Sequence, residues 1–427
     1  MRNNKRLLAA ALVTTLGFTA AACGDDDEPT DTTGGGEGTT ATSAGGSGST
    51  TPSSDTTMTS DTTMTSDTTM TSDTTMTSDT TMTSDTTMTS DTTMTSDTSG
   101  TTGSTMTGTT EDLSSIEEGY KVAVLFDVTG RGDKSFNDAA AAGLDKAATD
   151  FGVDPTESTP SGDADRAARL DTAVQGGNQL VVAVGFLWTD TVGAAAPANP
   201  DTNFAIVDSV VEADNVASLV FAEEQGSFLV GAAAALKSQT GTIGFVGGVP
   251  IDLIKKFEAG YTAGARAVNP DIEVIPQYIS EDPSIGFNDD AKGQELAAAM
   301  YEADADIIYH AAGASGLGVF EAAAAAGEPG EVWAIGVDSD QYQSVDADLQ
   351  PYILTSMLKR VDVAVYETSK AAASDTFAGG VQVFDLSVDG VGYSTSGGNI
   401  DDIVPQLEDF KQQIIAGEIE VPTVPES

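Results

Sequence analysis

The chain has 427 residues, of which 66 are acidic and 18 basic, giving a formal net charge of −48 at pH 7. This charge repels nucleic-acid phosphates and offers no cationic patch to anionic lipid, so it argues against nucleic-acid binding and fits an exported, solvated surface. Because only one cysteine is present, no disulfide can form within a monomer, and the fold must rest on its apolar core.

The first 22 residues are typical of an export signal. A basic start, MRNNKR, precedes the apolar stretch LLAAALVTTLGFTAAA, which is short for a membrane span and ends at Cys23. Small residues before a lone cysteine indicate a lipoprotein signal, although Ala20 stands where leucine is usual. We therefore expect acylation of Cys23 and a lipid-anchored protein on the extracytoplasmic face of the cell membrane. The alternative is an ordinary secretory signal followed by an idle thiol.

Residues 23–117 are predicted to form a tether. Seven tandem copies of SDTTMT run from Ser54 to Thr95, and aromatic and branched aliphatic side chains are lacking there. Such a segment cannot bury enough surface to offset the entropy of ordering. The period of six matches no solenoid repeat, and methionines spaced so widely are unlike the closer thioether clusters that bind copper. A flexible, Thr-rich spacer is the favoured interpretation.

From residue 118 onward, short apolar runs alternate with alanine-rich helical stretches. Continuous apolar strands separated by helices indicate parallel sheets covered on both faces, and the rhythm restarts at TIGFVGG. The sequence thus predicts two doubly wound α/β lobes: the first over about 118–222 with a return segment near 359–380, the second over about 240–340 with C-terminal segments. We also expect strand ILTSML and the helix after it to return to the first lobe, across a hinge of several crossings.

The carboxyl ends of the strands are the expected binding edge, because ligands of open α/β sheets bind there. The residues at these ends are carboxylates or glycines: Asp127, Gly185, Asp208, Gly247, Gly248, Gly313 and Asp338. A single carboxylate after a strand is usually a helix cap or a turn former. Three of them at equivalent places in both lobes favour a shared cleft.

Seven segments stand out across residues 120–395: DKSFND, FAIVDSV, FVGGVPIDLIKKFEAGYTAGA, GFNDDAKGQELA, HAAGASGLGVFEAA, AIGVDSDQY and TSMLKRVDVAV. Together, and in this order, they resemble the basic membrane protein family of purine-nucleoside-binding lipoproteins, the substrate-binding components of ATP-driven importers. Three residues depart from the family pattern: Ala314 and Leu317 in the glycine loop, and Arg131 in the first loop. The resemblance implies a type I periplasmic-binding-protein fold whose lobes close on a nucleoside, acting with membrane permease subunits and as a monomer.

The resemblance also implies roles for individual residues. Phe136 and Phe287 would stack on the two faces of a purine, since stacking on an aromatic side chain stabilises a base by ~1–3 kcal/mol. Asp127, Asn137 and Asp208 would face the base, while Gly313, Asp338 and Lys359 would hold the ribose. The structural alternatives are helix staples for the two rings, a cap for Asp338 and a solvated turn residue for Lys359.

No constellation for catalysis or cofactor binding is evident in the sequence. One histidine, His310, and one cysteine cannot build a conventional zinc site, and GASGLG lacks the lysine of a phosphate-binding loop. We therefore expect no metal or other cofactor and no enzymatic activity. Two rival functions remain open: a nucleoside hydrolase using the cleft carboxylates, and a sensor for a sugar or another small polar ligand.

Overall fold

The computed structural model describes residue 116 and residues 119–426. The predicted signal peptide, Cys23 and almost all of the predicted tether lie outside the described residues. The strands of the described part are β1 (Lys121–Leu125), β2 (Asp154–Ser158), β3 (Leu180–Val184), β4 (Asn203–Val207), β5 (Val216–Phe221), β6 (Thr242–Gly247), β7 (Glu273–Tyr278), β8 (Ile307–Ala311), β9 (Trp333–Asp338), β10 (Ile353–Lys359), β11 (Gly380–Phe384) and β12 (Val391–Tyr393).

The α-helices of the same part lie between these strands. They are α1 (Phe136–Phe151), α2 (Asp163–Gln175), α3 (Thr189–Ala195), α4 (Glu223–Lys237), α5 (Asp252–Val268), α6 (Pro283–Gly286), α7 (Asp290–Glu302), α8 (Leu317–Ala326), α9 (Gln341–Ser344), α10 (Val361–Ala373) and α11 (Val404–Ile415). None of the helices within residues 119–426 combines the length and the apolar character that crossing a bilayer requires.

The strands form two six-stranded sheets, which define lobe 1 and lobe 2. Lobe 1 has the order β11-β5-β4-β3-β1-β2 with every pairing parallel. Lobe 2 has the order β12-β10-β9-β8-β6-β7, in which only the β10–β12 pairing is antiparallel. The predicted fold class of two parallel-sheet α/β lobes is thereby confirmed.

Burial explains why the strands read as unbroken apolar runs. Every residue of β3 and of β8 is buried, because helices cover both faces of each sheet. In lobe 2, α4 and α5 approach so closely that a Cβ at Gly231 would lie 2.0 Å from the carbonyl oxygen of Tyr261. Glycine is therefore required at that position for the two helices to pack.

The chain passes between the lobes three times within the described residues. It leaves lobe 1 after β5 and enters α4, which packs on α5, β10 and β12 of lobe 2. It returns after β10 into α10, which packs on α1, β3 and β4 of lobe 1. After β11 it crosses again into β12. Three crossings side by side form the hinge.

One topological prediction was wrong. Strand ILTSML was expected in the first lobe, but β10 pairs in parallel with β9 in the sheet of lobe 2. Only the helix that follows, α10, returns to lobe 1. The chain thus passes from lobe 2 to lobe 1 directly after Lys359, the last residue of β10. Lys359 therefore lies at a hinge crossing.

Candidate functional site

A cavity lies between the lobes at the carboxyl ends of their strands. Its empty space measures about 600 Å³, including the part open to solvent. All eight residues predicted to contact a ligand line it, although they come from distant parts of the chain: Asp127, Phe136, Asn137, Asp208, Phe287, Gly313, Asp338 and Lys359. The remaining lining residues are Val128, Thr129, Asp133, Gly185, Phe186, Leu253, Ile254, Phe257, Ala311 and Val337.

The loop between β1 and α1 is built by its own polar side chains. The buried carboxylate of Asp133 accepts hydrogen bonds from the backbone N–H groups of Ser135 (3.0 Å), Asn137 (2.8 Å) and Asp138 (3.1 Å). It therefore satisfies N–H groups that the first turn of α1 would otherwise leave unpaired. This capping holds Phe136, the first residue of α1, at the cavity wall.

Asn137 is largely occupied by the same loop. Its Nδ2 donates to Thr129 Oγ1 at 3.0 Å and to Asp133 Oδ2 at 2.9 Å, which uses both amide hydrogens. Its Oδ1 accepts from the backbone N–H of Asp127 at 2.8 Å. The amide thus shapes the loop, and only the second lone pair of Oδ1 remains to accept a further hydrogen bond.

Asp127 has a buried cationic partner that the sequence analysis missed. Arg166 of α2 is 2% exposed and donates from Nη2 to Asp127 Oδ1 at 3.2 Å, while its guanidinium carbon lies 5.1 Å from the ring centroid of Trp188. Burial raises the pKa of Asp127, and the charge of Arg166 opposes that rise. An arginine within a polar helix carried no sequence signal for this role.

Aromatic rings from both lobes meet the cavity. Phe136 belongs to lobe 1 and Phe287, between α6 and α7, to lobe 2. A third lining ring, Phe186, lies edge-on to Phe287 with centroids 6.5 Å apart. Phe186 directly follows the strand-end Gly185, so the rule that singled out that glycine could have found it.

Two glycines, Gly248 and Gly313, lie against Phe287 at positions that disfavour a larger residue. A Cβ at Gly248 would lie 2.3 Å from Phe287 Cε1, so any larger residue would displace the ring. Gly313 has a positive φ of 53° and would place a Cβ 3.6 Å from Phe287 Cβ. The predicted strand-end glycines therefore support this ring from behind.

At the hinge end of the cavity, Lys359 is enclosed by carboxylates and rings. It is 2% exposed, and its Nζ lies 2.5 Å from Asp208 Oδ2 and 3.8 Å from Glu223 Oε1. The ring of Phe136 faces the same nitrogen, with its centroid 4.8 Å away. Burial by itself lowers the pKa of Lys359, but Asp208, Glu223 and Asp338 outweigh burial and raise it, so the ammonium stays charged.

Asp208 and Asp338 occupy matching positions in the two lobes. Each follows or ends a strand with left-handed backbone, φ 65° at Asp208 and 64° at Asp338, a conformation that aspartate tolerates better than most residues. Burial raises the pKa of Asp338 to about 6, against the opposing effects of Lys359 and Ser135. Within the described residues, the buried Oδ1 of Asp208 has no hydrogen-bond partner.

Asp338 also joins the two lobes. Ser135, from the loop before α1, donates its hydroxyl to Asp338 Oδ2 at 2.5 Å. Ser339 returns a hydrogen bond from its hydroxyl to the carbonyl oxygen of Ser135 at 3.0 Å. Both contacts bridge lobe 1 and lobe 2, so this conformation is closed at the Asp338 end of the cavity.

His310 lies outside the cavity lining. Its ring is fully buried, lies edge-on to Phe320 with centroids 5.1 Å apart, and would meet any Cβ added at Gly316. Burial lowers the pKa of His310 to about 3, so the imidazole is neutral. It packs behind the glycine loop.

The charges of the lining restrict what the cavity can hold. Four carboxylates line it, those of Asp127, Asp133, Asp208 and Asp338, against the single ammonium of Lys359. No group of three or more histidine, cysteine or acidic residues within 119–426 is arranged to hold a metal ion. This excess of carboxylates disfavours an anionic ligand, and the lining rings and polar side chains suit a flat ring that carries hydrogen-bonding groups.

Comparisons with known proteins identify the family. Residues 120–424 match the Bmp family, described as ABC transporter substrate-binding protein PnrA-like. An ABC transporter nucleoside-binding protein of Lactococcus lactis is 37% identical over 325 residues, covering 72% of this chain and 90% of that protein. An uncharacterized lipoprotein of Pyrococcus abyssi is 34% identical over 296 residues, covering 67% of this chain and 71% of that protein.

A solved structure supports the same assignment. The solute-binding protein of an Aeropyrum pernix ABC transporter system is 33% identical, covers 72% of this chain and 94% of its own, and superposes with a TM-score of 0.63. Members of this family are solute-binding proteins rather than enzymes, which removes the hydrolase alternative. The chain therefore belongs to the PnrA-like family of ABC transporter substrate-binding proteins.

Proposed function

We propose that this substrate-binding protein captures a purine nucleoside between its lobes and delivers it to the permease subunits of an importer. The observation that carries the proposal is the combination of two unlike sets of side chains in one cavity. Aromatic rings from both lobes, Phe136 and Phe287, form the set that we call the ring end, and a buried lysine among carboxylates forms the hinge end. Phe136 lies where the two sets meet, because its ring also contacts Lys359. A nucleoside is a molecule with the same two parts, a flat base and a hydroxylated sugar.

At the ring end, the base would lie between Phe136 and Phe287. Stacking of a base on an aromatic side chain is worth ~1–3 kcal/mol, and the pocket supplies such a ring from each lobe. Asp127 and the Oδ1 of Asn137 would accept hydrogen bonds from the edge of the base. Closure of the lobes would then be needed to complete the sandwich, because the rings belong to different lobes.

At the other end, the ribose would lie against Asp338, Lys359 and Gly313. Carboxylate oxygens accept from hydroxyl groups and an ammonium donates to them, so these side chains match a diol. Asp208 was expected to face the base, but its Oδ2 contacts Lys359, so we assign it to the sugar side. Its other oxygen, which lacks a partner among the described residues, is a further acceptor for the bound molecule. A phosphate group would meet four lining carboxylates and one ammonium, which favours nucleosides over nucleotides.

Calorimetric titration of the purified protein tests the proposal. Guanosine, inosine and adenosine should bind, whereas guanosine 5′-monophosphate, free ribose and glucose should bind weakly. Binding of a sugar with no binding of any nucleoside would contradict the proposal. That outcome would favour the second candidate, a receptor for a small polar ligand, which Ala314 and Leu317 in the glycine loop keep open.

We also propose that the protein is held at the membrane by lipid on Cys23, with residues 24–117 as the spacer. The basic and apolar order before Cys23 supports this, as does similarity to a relative named a lipoprotein. In a producing cell, Cys23→Ser should release the protein from the detergent phase or leave its signal uncleaved. Unchanged detergent partitioning of that variant would contradict the anchor.

A further inference from the structure

One of the carboxylates near Lys359 lies behind the cavity wall rather than in the cavity lining. Glu223 is the first residue of α4, directly after the chain crosses from lobe 1, and it is 1% exposed. It does not line the cavity. Lys359, its neighbour, ends β10 directly before the chain crosses back. The two residues thus join the first and second crossings of the hinge.

The contacts of Glu223 form a row of alternating charges. Its Oε2 lies 3.1 Å from Lys256 Nζ of α5, and its Oε1 lies 3.8 Å from Lys359 Nζ. Lys359 in turn contacts Asp208 Oδ2 at 2.5 Å. The row runs from the partly exposed Lys256 to the cavity wall. A change of charge on Glu223 therefore changes the electrostatic potential at Lys359.

The distance between Glu223 and Lys359 matters for the ligand. An ammonium has three N–H donors, and Asp208 takes one of them. At 3.8 Å, the Glu223 oxygen balances the charge of Lys359 but is too far away to accept a hydrogen bond. Within residues 119–426, the other donors of Lys359 are therefore left for groups inside the cavity.

We propose that Glu223 is a positioning residue for ligand binding, which compensates the charge of Lys359 from behind and leaves its hydrogens for the hydroxyl groups of the ligand. This inference rests on the proposed function. Protonation of Glu223 removes the compensating charge, so Lys359 is drawn further toward Asp208 and away from the ligand. The affinity for a nucleoside therefore depends on the ionisation of a residue that the nucleoside does not touch.

The charged and titratable groups around Glu223 set the pH range of this effect. They are Lys359 of β10, Lys256 of α5, Asp208 after β4 and Tyr309 of β8. Burial raises the pKa of Glu223 to about 7, against the opposing charges of the two lysines. Glu223 is therefore ionised and supports Lys359 above about pH 7, and this support is lost as the pH falls below that value.

The test compares guanosine affinities of the full-length mature protein and its Glu223→Gln variant by calorimetry at pH 8.5 and pH 5.5. Because glutamine mimics the protonated carboxyl, the variant should bind about tenfold more weakly at pH 8.5, within the usual range of coupling between sites. At pH 5.5 the two affinities should converge. The matched control is Glu224→Gln, which removes a carboxylate from the same helical turn and should track the wild type at both pH values.

The outcomes separate this inference from the proposed function. Equal affinities of wild type and Glu223→Gln at pH 8.5, or a ratio that is the same at both pH values, would overturn the positioning role while leaving nucleoside binding intact. Failure of the wild type to bind any purine nucleoside would overturn both. If Glu223→Gln does not fold, Glu223→Asp keeps the charge and should retain the pH dependence of the wild type, and its loss would count against the role.

Discussion

The two ends of the cavity differ in how many of their polar groups are already satisfied. At the ring end, both amide hydrogens of Asn137 are donated within the loop, and Asp127 is paired with Arg166. At the hinge end, Lys359 keeps donors free, and Asp208 has an oxygen without a partner in the part of the chain that the structure describes. A site with satisfied groups selects by shape, whereas unsatisfied buried groups demand particular partners. We infer that the rings supply general affinity and the hinge end supplies selectivity.

Removing the positive charge at the hinge end should have the largest effect, and this effect should be on the stability of the ligand-free protein. Lys359→Met leaves Asp208 and Glu223 buried without their main cation, and loss of one partner from a buried pair costs about 3–5 kcal/mol. We expect that loss in the free energy of unfolding, measured by urea denaturation. Lys256→Met, which removes the partly exposed partner of the same Glu223, should cost less, because Lys359 still balances the charge of Glu223. Similar small losses for both variants would mean that Lys359 does not organise this end.

Removing an acceptor at the hinge end should change selectivity. Asp338→Ala should weaken guanosine binding by about 1.5–3 kcal/mol, the value of a hydrogen bond between a hydroxyl and a charged group, and should change guanine binding much less. Calorimetry with both ligands measures the difference. The control is Ser135→Ala, which removes the interlobe hydrogen bond to Asp338 but keeps the carboxylate, and so should weaken both ligands alike. Equal losses for both ligands in Asp338→Ala would place the sugar elsewhere.

The raised pKa of Asp338, at the same end, should make the stability of the ligand-free protein depend on pH. Since burial raises this pKa from 3.8 to about 6, the neutral form is favoured by folding. The stabilisation is complete below about pH 4 and is lost as the pH rises through about 6. Asp338→Asn, which mimics the neutral form, should therefore be more stable than wild type above pH 6, by up to about 3 kcal/mol, and equally stable near pH 4. Thermal unfolding of both proteins from pH 4 to pH 8 measures this difference in stability. A difference that stays constant with pH would contradict the prediction.

At the ring end, Phe287→Ala should have the smallest effect and should not discriminate between ligands: guanosine and guanine should both weaken by a similar ~1–3 kcal/mol, the value of one stacked base. Phe136→Ala should weaken guanosine somewhat more than guanine, because the Phe136 ring also contacts Lys359. Phe186→Leu is the matched control, because it keeps an apolar contact beside Phe287 without being a predicted stacking surface. If both alanine variants bind both ligands as the wild type does, the purine sandwich is wrong. A loss confined to guanosine would move the sugar to the ring end.

The sequence predicted the architecture well where the apolar pattern was strong. The restart of the apolar rhythm expected at TIGFVGG is β6, a strand of the sheet of lobe 2. The polar strand β2, DPTES, was not predicted, because an edge strand exposed along its length carries no apolar alternation. β10 was given to the wrong lobe because local pattern does not encode which sheet a strand joins.

The same division applies to the cavity. Strand-end position and family resemblance brought together all eight predicted contact residues in one place. Arg166 and Glu223 were missed because each acts through a residue distant in sequence, Asp127 and Lys359 respectively. Such pairings form only when the lobes fold, so no local sequence pattern predicts them.

Ribose recognition is decided by the ratio of guanine to guanosine dissociation constants for the wild-type protein, obtained by calorimetry at pH 8. A site whose buried polar groups are built for sugar hydroxyls rejects an analogue without them, so we expect guanosine to bind more tightly by at least ~100-fold. The dissociation constant of 2′,3′-dideoxyguanosine should lie close to that of guanine. Equal affinity for guanosine and guanine would contradict the assignment of the hinge end to ribose.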